Sequence, residues 1–285
     1  MLHEQALMLP VADQSLAAVL SPGSASTGLL LVVGGPQYRV GSHRQFVKLC
    51  RALATANIPS LRFDVSGMGD SGGEAHGFYQ QQQDIQAAID AFFQQQPQLK
   101  SVVLWGLCDG ASAILLSLRH IKDPRIQGLV LLNPWVRQQQ SYAKTMLKHY
   151  YWQRLSDKTL WLKILRGEFA FMASLKDLFS NVKKSAAITP AAALVEQSNE
   201  QNYVSHMQQS WGCFQGKVCV ITSGNDLTAQ EFLDLCGSES SWQQLLQQAD
   251  HLHIHAANHT FSCQQWRSEV EAKTINFIQQ VQQTP

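Results

Sequence analysis

No apolar run in this sequence approaches the ~20 residues that a bilayer-spanning helix needs, so no membrane span is expected. Charge is scarce and balanced. Its 22 Lys and Arg stand against 21 Asp and Glu, leaving a formal net charge of +1 without a dense basic cluster. That balance argues against nucleic acid or an anionic membrane as the main partner. The stretch Met1 to Pro10 has no basic region followed by an apolar one, so no signal peptide is expected. Cysteine pairing is missing as well: Cys50, Cys108, Cys213, Cys219, Cys236 and Cys263 are scattered without a Cys-x-x-Cys motif. Reduced thiols in the cytoplasm and no zinc site follow from that spacing. A dinucleotide fingerprint is also lacking. Gly67-Met68-Gly69-Asp70-Ser71-Gly72 has the right spacing, but it continues as Gly73-Glu74-Ala75-His76-Gly77, a poor helix start. No cofactor is expected.

What the chain does have is 285 residues with 45% hydrophobic content, enough for one large domain or two small ones around a substantial core. Gln5–Pro10 and Ser15–Ser21 read as an opening hairpin. Leu29 to Val33 is a continuous apolar run, the pattern of a strand buried on both faces. Strands at Ser60–Asp64, Val102–Trp105 and Gly128–Leu132 then alternate with helical patterns at Arg44–Ala56, Gln81–Gln95 and Ala111–Arg119. After an interruption come a strand at Lys217–Thr222, helices at Ala229–Leu235 and Ser241–Gln248, a strand at His251–His255 and a closing helix, Trp266–Gln282. This alternation predicts a doubly wound, mostly parallel α/β sheet. Right-handed crossovers would put every strand's C-terminal end on one rim, so that Gly35, Asp64, Cys108 and Asn133 share it. Glutamine runs at Gln80–Gln83, Gln94–Gln96 and Gln138–Gln140 read as solvated helix faces or loop tips.

The stretch around which the chain is organised is Trp105-Gly106-Leu107-Cys108-Asp109-Gly110-Ala111, where an apolar strand passes through Gly-x-Cys-x-Gly into a helix. Strand, sharp turn and helix make a nucleophile elbow, with cysteine where serine is usual. The flanking glycines leave room for the turn, and the helix N-terminus is expected to favour a thiolate and a developing oxyanion. A buried structural cysteine beside an ordinary strand-to-helix turn is the bland reading of the same residues. Context separates the two. A cysteine nucleophile needs a base, and the base needs an orienting carboxylate; in the α/β-hydrolase arrangement these follow in the order nucleophile, acid, histidine at strand ends. Cys108, Asp226 and His259 meet both the order and the placement. Asp234 and Asp250 are alternative acids, but each lies within or after a helix. His251, His253 and His255 alternate along one strand; a solvated edge accounts for them better than a metal, since no second ligand cluster accompanies them. For the oxyanion hole the Asp109 N–H is one expected donor. The second should come from the loop after Val33, where Pro36 has no N–H, with Gln37 as first choice and Gly35 as second.

From Asn133 to about Tyr203 the alternation stops. Gln138 to Phe179 reads as helical and rich in aromatics, including Tyr150, Tyr151 and Trp152. A helical lid that builds an acyl pocket is one reading, with those aromatics as possible substrate contacts; extra core or a dimer contact is the other. The expected organisation is a core from residues 1–133, an inserted cap at 134–203 and a second core part at 204–285.

Several blocks also resemble a known family: Gly34-Gly35-Pro36-Gln37-Tyr38-Arg39-Val40-Gly41-Ser42-His43-Arg44-Gln45-Phe46, then Arg62-Phe63-Asp64, Gly67-Met68-Gly69-Asp70-Ser71, Gly106 to Ala113, and His149-Tyr150-Tyr151-Trp152-Gln153-Arg154-Leu155. Together they resemble the exosortase A system-associated hydrolase 1 family of α/β-hydrolases. This chain departs from that family at Val65-Ser66, where the family has Tyr-Arg, and at Gly110, where it has Ala. The resemblance implies a bacterial cytoplasmic hydrolase whose relatives accompany exopolysaccharide synthesis and C-terminal protein sorting. It supplies no substrate. The residues predict an acyl hydrolase acting on a small-molecule ester, thioester or lactone, as a monomer or homodimer. An acyltransferase using the same acyl-cysteine, and a non-catalytic scaffold or ligand-binding partner, are the alternatives.

Overall fold

A computed structural model describes residues 4–35, 37–137 and 202–283. The helical reading of Gln138–Phe179, the aromatics Tyr150, Tyr151 and Trp152, and Gln138–Gln140 lie outside the described residues. Met1–Arg137 and Val204–Pro285 form one compact unit.

In chain order this unit comprises β1 (Gln5–Val11), β2 (Gln14–Ser21), β3 (Thr27–Val32), α1 (Gln45–Thr55), β4 (Ser60–Phe63), α2 (Gln82–Gln95), β5 (Ser101–Leu107), α3 (Asp109–Ser117) and β6 (Ile126–Leu132). It continues with α4 (Tyr203–Cys213), β7 (Lys217–Asn225), α5 (Leu227–Ser238), α6 (Ser240–Gln248), β8 (Asp250–Asn258) and α7 (Gln264–Gln282). The strands make one sheet in the order β1-β2-β4-β3-β5-β6-β7-β8. Only β2 runs against the rest, pairing antiparallel with both β1 and β4. This is the α/β-hydrolase fold.

The sheet forms because its central strands carry apolar residues on both faces. Every residue of β3 is buried, and Leu29, Leu31 and Val33 on one face join Val103, Trp105, Val130 and Leu132 in a single cluster. Amphipathic α1 contributes Phe46, Leu49 and Leu53 to it, and α7 adds Phe277 and Ile278. Phe46 meets Trp105 edge to face with centroids 5.6 Å apart, a preferred aromatic geometry.

The winding of the chain fixes where a site can be. From β3 the chain steps to β4 on one side; from β4 it crosses over to β5 on the other side of β3. The reversal opens a crevice beyond the C-terminal ends of β3 and β5, the usual ligand position in such sheets. Gly34 and Gly35 end one strand there, and Cys108 ends the other.

Several elements run further than their sequence patterns. α3 begins at Asp109 directly after Cys108, β7 extends through Asn225, and β8 extends through Asn258. No element was read between Tyr203 and the strand at Lys217; α4 occupies that span and buries Tyr203, Val204, Met207 and Trp211 at helical spacing, a pattern its intervening Ser, His and Gln residues masked. Gln81 and Gln96, read as solvated, are buried, and Gln96 Oε1 accepts the Gly23 N–H at 3.4 Å. No helix among the described residues is long and apolar enough to cross a membrane.

Candidate active site

Six strand ends deliver polar groups to one rim: Gly35 follows β3, Asp64 follows β4, Cys108 β5, Asn133 β6, Asp226 β7 and His259 β8. The elbow itself is strained. Cys108 has φ 60° and ψ −124°, a conformation costly for any residue with a Cβ. Two contacts enforce it. A Cβ on Gly106 would lie 2.6 Å from the Gly110 carbonyl carbon, and one on Gly110 would lie 2.7 Å from the Val32 oxygen, so strand and helix approach closely only with glycine at both positions. The Cys108 N–H donates to Leu132 O at 2.8 Å, continuing the β5–β6 ladder into the turn.

Asp226 is the N-cap of α5. Its carboxylate accepts the N–H groups of Thr228 and Ala229, both at 3.2 Å, and Oδ2 also lies 2.7 Å from His259 Nδ1. The helix end thus orients the carboxylate before histidine is considered. With Nδ1 engaged, Nε2 is the nitrogen left to exchange a proton with a substrate or nucleophile. Asp250, the alternative acid, starts β8 at the opposite end from His259 and pairs with Lys273 at 2.5 Å, while Asp234 sits inside α5.

Sequence reasoning put Asn133 on the rim without giving it a task. Fully buried at φ 43°, it donates through Nδ2 to Ser223 Oγ at 2.9 Å and to His259 O at 3.3 Å, and it accepts the Ser223 N–H at 3.0 Å. It therefore ties the end of β6 to β7 and to the histidine loop. The available signal was a polar residue immediately after the apolar run of β6.

The loop after β3 is fastened by Asp64. This fully buried carboxylate accepts the Arg39 N–H at 2.6 Å and the Asp70 N–H at 2.9 Å, and it pairs with the Arg39 guanidinium, which also reaches Asp70. The Gly-rich stretch from Gly67 is thus a turn wrapped around Asp64. No helix opens from it.

The backbone N–H groups of Asp109, Gly110 and Gly35 favour the charged form of the Asp109 carboxyl. A Cβ on Gly35 would lie 3.0 Å from Asp109 Oδ2, and one on Gly34 would collide with the same carboxylate. Gly35, the second choice from sequence, therefore shares a pocket with the Asp109 N–H. Gln37, the first choice, has its Oε1 buried without a hydrogen-bond partner among the described residues.

Electrostatics correct one expectation. The Cys108 thiol is pushed up to about 12, first by burial and then by the adjacent Asp109 charge. The Asp109 N–H at the start of α3 and the Arg137 guanidinium pull the other way without reversing this. The thiolate that the helix N-terminus was expected to favour is opposed in this arrangement. Burial raises the Asp109 carboxyl too, against the pull of the three N–H groups. Arg137 pairs with buried Glu231 at 3.1 Å and stacks 4.3 Å over the Trp135 ring.

The histidines of β8 lie on the edge strand. Thr222 Oγ1 sits 2.9 Å from His251 Nε2 and 2.8 Å from His253 Nδ1. Among the described residues, no cluster of His, Cys, Asp and Glu could hold a metal ion.

A family profile described as serine aminopeptidase, S33 matches residues 30–220, most of the chain. The chain belongs to this S33 hydrolase family. Its fold is shared with solved structures of low identity. A Pyrococcus furiosus esterase is 13% identical with a TM-score of 0.65, covering 99% of this chain and 92% of that one. Est1E of Butyrivibrio proteoclasticus, solved with ferulic acid, is 12% identical with a TM-score of 0.60, covering 96% and 98%. The α/β-hydrolase GrgF of a Penicillium species is 15% identical with a TM-score of 0.60, covering 99% and 100%. A search of curated proteins found no significant match. This S33 hydrolase carries cysteine at its elbow, whereas the family description names serine.

Proposed function

We propose that this S33 hydrolase cleaves ester or thioester bonds through an acyl-cysteine intermediate. The observation that carries the reading is the meeting at one rim of a strained Cys108 elbow with an Asp226–His259 pair bonded at 2.7 Å. In the first step Cys108 Sγ attacks the acyl carbonyl carbon while His259 Nε2 takes the thiol proton. A C–S bond forms, and the carbonyl π pair becomes an oxyanion facing the Asp109 and Gly35 N–H groups. Collapse breaks the bond to the leaving alcohol or thiol, which receives the proton from His259. Water, deprotonated by His259, then attacks the thioester and releases Cys108 and the acid. Asp226 holds the imidazole in the required tautomer and stabilises its charged form.

Because the described cysteines are all free, including exposed Cys213 and Cys263, a reducing cytoplasm suits the protein. The Gly34–Phe46 and His149–Leu155 blocks support placing it with exosortase-linked hydrolases. Residues 134–203, inserted directly after Asn133, are the proposed acyl-binding cap on the strength of their aromatic content.

The test is turnover of a panel of p-nitrophenyl esters and acyl thioesters, with mass spectrometry of quenched enzyme. Wild type should show the acyl mass on the Cys108 peptide, and Cys108→Ala should be folded and inactive. Retained turnover in Cys108→Ala would remove the mechanism. Preferential delivery of the acyl group to an added thiol or amine would make the protein an acyltransferase.

A further inference from the structure

We propose that the Asp109 side chain is a built-in plug of the oxyanion pocket, which an acyl carbonyl must displace before Cys108 reacts. The proposal deepens the acyl-hydrolase reading above and rests on it.

The pocket that should receive the tetrahedral oxyanion lies between the N–H after the nucleophile and an N–H from the loop following β3. The Asp109 carboxylate packs against this loop, 3.0 Å from where a Cβ on Gly35 would lie, and the Asp109, Gly35 and Gly110 N–H groups all favour its charged form. The carboxylate also fills the volume, since neither Gly34 nor Gly35 could carry a Cβ without meeting it. A carboxylate in the first turn of a helix is ordinarily explained by the helix dipole. That explanation covers the N–H groups of Asp109 and Gly110, which open α3. It does not cover Gly35, whose N–H belongs to a different loop across the crevice.

Two consequences follow from one placement. A developing oxyanion cannot share the pocket with a second negative charge, so attack is blocked while the plug is in. The same charge adds to burial, the larger cause, in raising the Cys108 thiol. Moving the carboxylate out toward water frees the hole and relieves the thiol together. A neutral carbonyl is a weaker acceptor than a carboxylate, so a small ester displaces the plug poorly. Substrates held by contacts remote from the carbonyl can spend that binding on displacement. Asp109 is thereby a specificity-determining residue that suppresses adventitious ester hydrolysis.

Two substitutions separate charge from occupancy. Asp109→Ala removes both, whereas Asp109→Asn removes the charge and leaves an amide oxygen in the pocket. The readouts are iodoacetamide labelling of the Cys108 peptide, referenced to exposed Cys213 and Cys263 in the same molecule, and kcat/KM for p-nitrophenyl acetate. Labelling should rise severalfold in both variants, because each removes the charge that adds to burial in raising the thiol. Hydrolysis of p-nitrophenyl acetate should rise clearly in Asp109→Ala and much less in Asp109→Asn. Unchanged or slower labelling in Asp109→Asn overturns the proposal, and this variant decides the matter if Asp109→Ala does not fold. A fall in kcat/KM in a folded Asp109→Ala also overturns it. Faster labelling in both variants without ester or thioester turnover by any form would keep the plug and overturn the acyl-hydrolase reading instead.

Discussion

Replacing Asn133 with alanine tests whether the candidate active-site rim is held by one buried amide. The side chain is fully buried and makes hydrogen bonds to the Ser223 hydroxyl (2.9 Å), the Ser223 N–H (3.0 Å) and the His259 carbonyl (3.3 Å). Truncation leaves the two backbone groups and the Ser223 hydroxyl facing an apolar gap. An orphaned buried polar group costs about 1–3 kcal/mol. The His259 carbonyl bond is the longest, and the Ser223 hydroxyl can turn to a new acceptor, so the low end applies to those two. The expected total is about 3 kcal/mol, which lowers Tm by roughly 6–12 °C for a domain of this class. Asn133→Ala should also reduce kcat on the best ester while KM stays within about twofold, because His259 loses its tether rather than the substrate its pocket. A thermal melt and steady-state kinetics on the same preparation measure both. In a double-mutant cycle with Ser223→Ala, a coupling of about 1 kcal/mol is expected. A loss below about 0.5 kcal/mol with unchanged kcat would refute the account of Asn133 as a positioning residue.

Gly106→Ala should disrupt the elbow, since the new Cβ meets backbone atoms at 2.6–2.7 Å that cannot rotate away. A loss of about 3 kcal/mol or more in denaturant unfolding is expected, the upper end for overpacking. Asp226→Asn should lower kcat by roughly 10³–10⁴-fold with little change in Tm, whereas Asp226→Ala should cost about 1 kcal/mol more through the lost N-cap. Arg39→Ala leaves the fully buried Asp64 carboxylate without its cation; a destabilisation of about 3 kcal/mol, read by denaturant melts, is expected. Alkaline pH should destabilise the fold. The buried thiols of Cys219 and Cys236 are pushed up to about 12 against 9.0 for a free thiol, so the folded state holds its protons longer than the unfolded one. That contribution is intact below pH 9 and is lost between about 9 and 12; Cys219→Ala should flatten the decline in denaturant midpoints across that window.

Much of the candidate site's placement was legible because its signals are local. The apolar runs of β3, β5 and β6 and the small-residue elbow determine strand, turn and helix from neighbouring residues alone, and the order of Cys108, Asp226 and His259 follows from strand ends. Asn133 and Ser223 were not legible in the same way. Their roles depend on hydrogen bonds across 90 residues of sequence, and a polar residue after a strand looks the same whether it tethers a loop or meets solvent.

The sequence by itself therefore determined the doubly wound sheet, the elbow and which residue types reach the rim. The helix-dipole argument, made from sequence, pointed to an activated thiolate. Only the tertiary structure decided the electrostatics, because the state of Cys108 depends on how deeply it is buried and where the Asp109 carboxylate points. Asp109 precedes Gly110 in any reading of the chain, yet its contact with Gly35 exists only because β3 and β5 lie side by side. Burial and through-space charge are sums over neighbours that the fold brings together, and adjacency along the chain does not contain them.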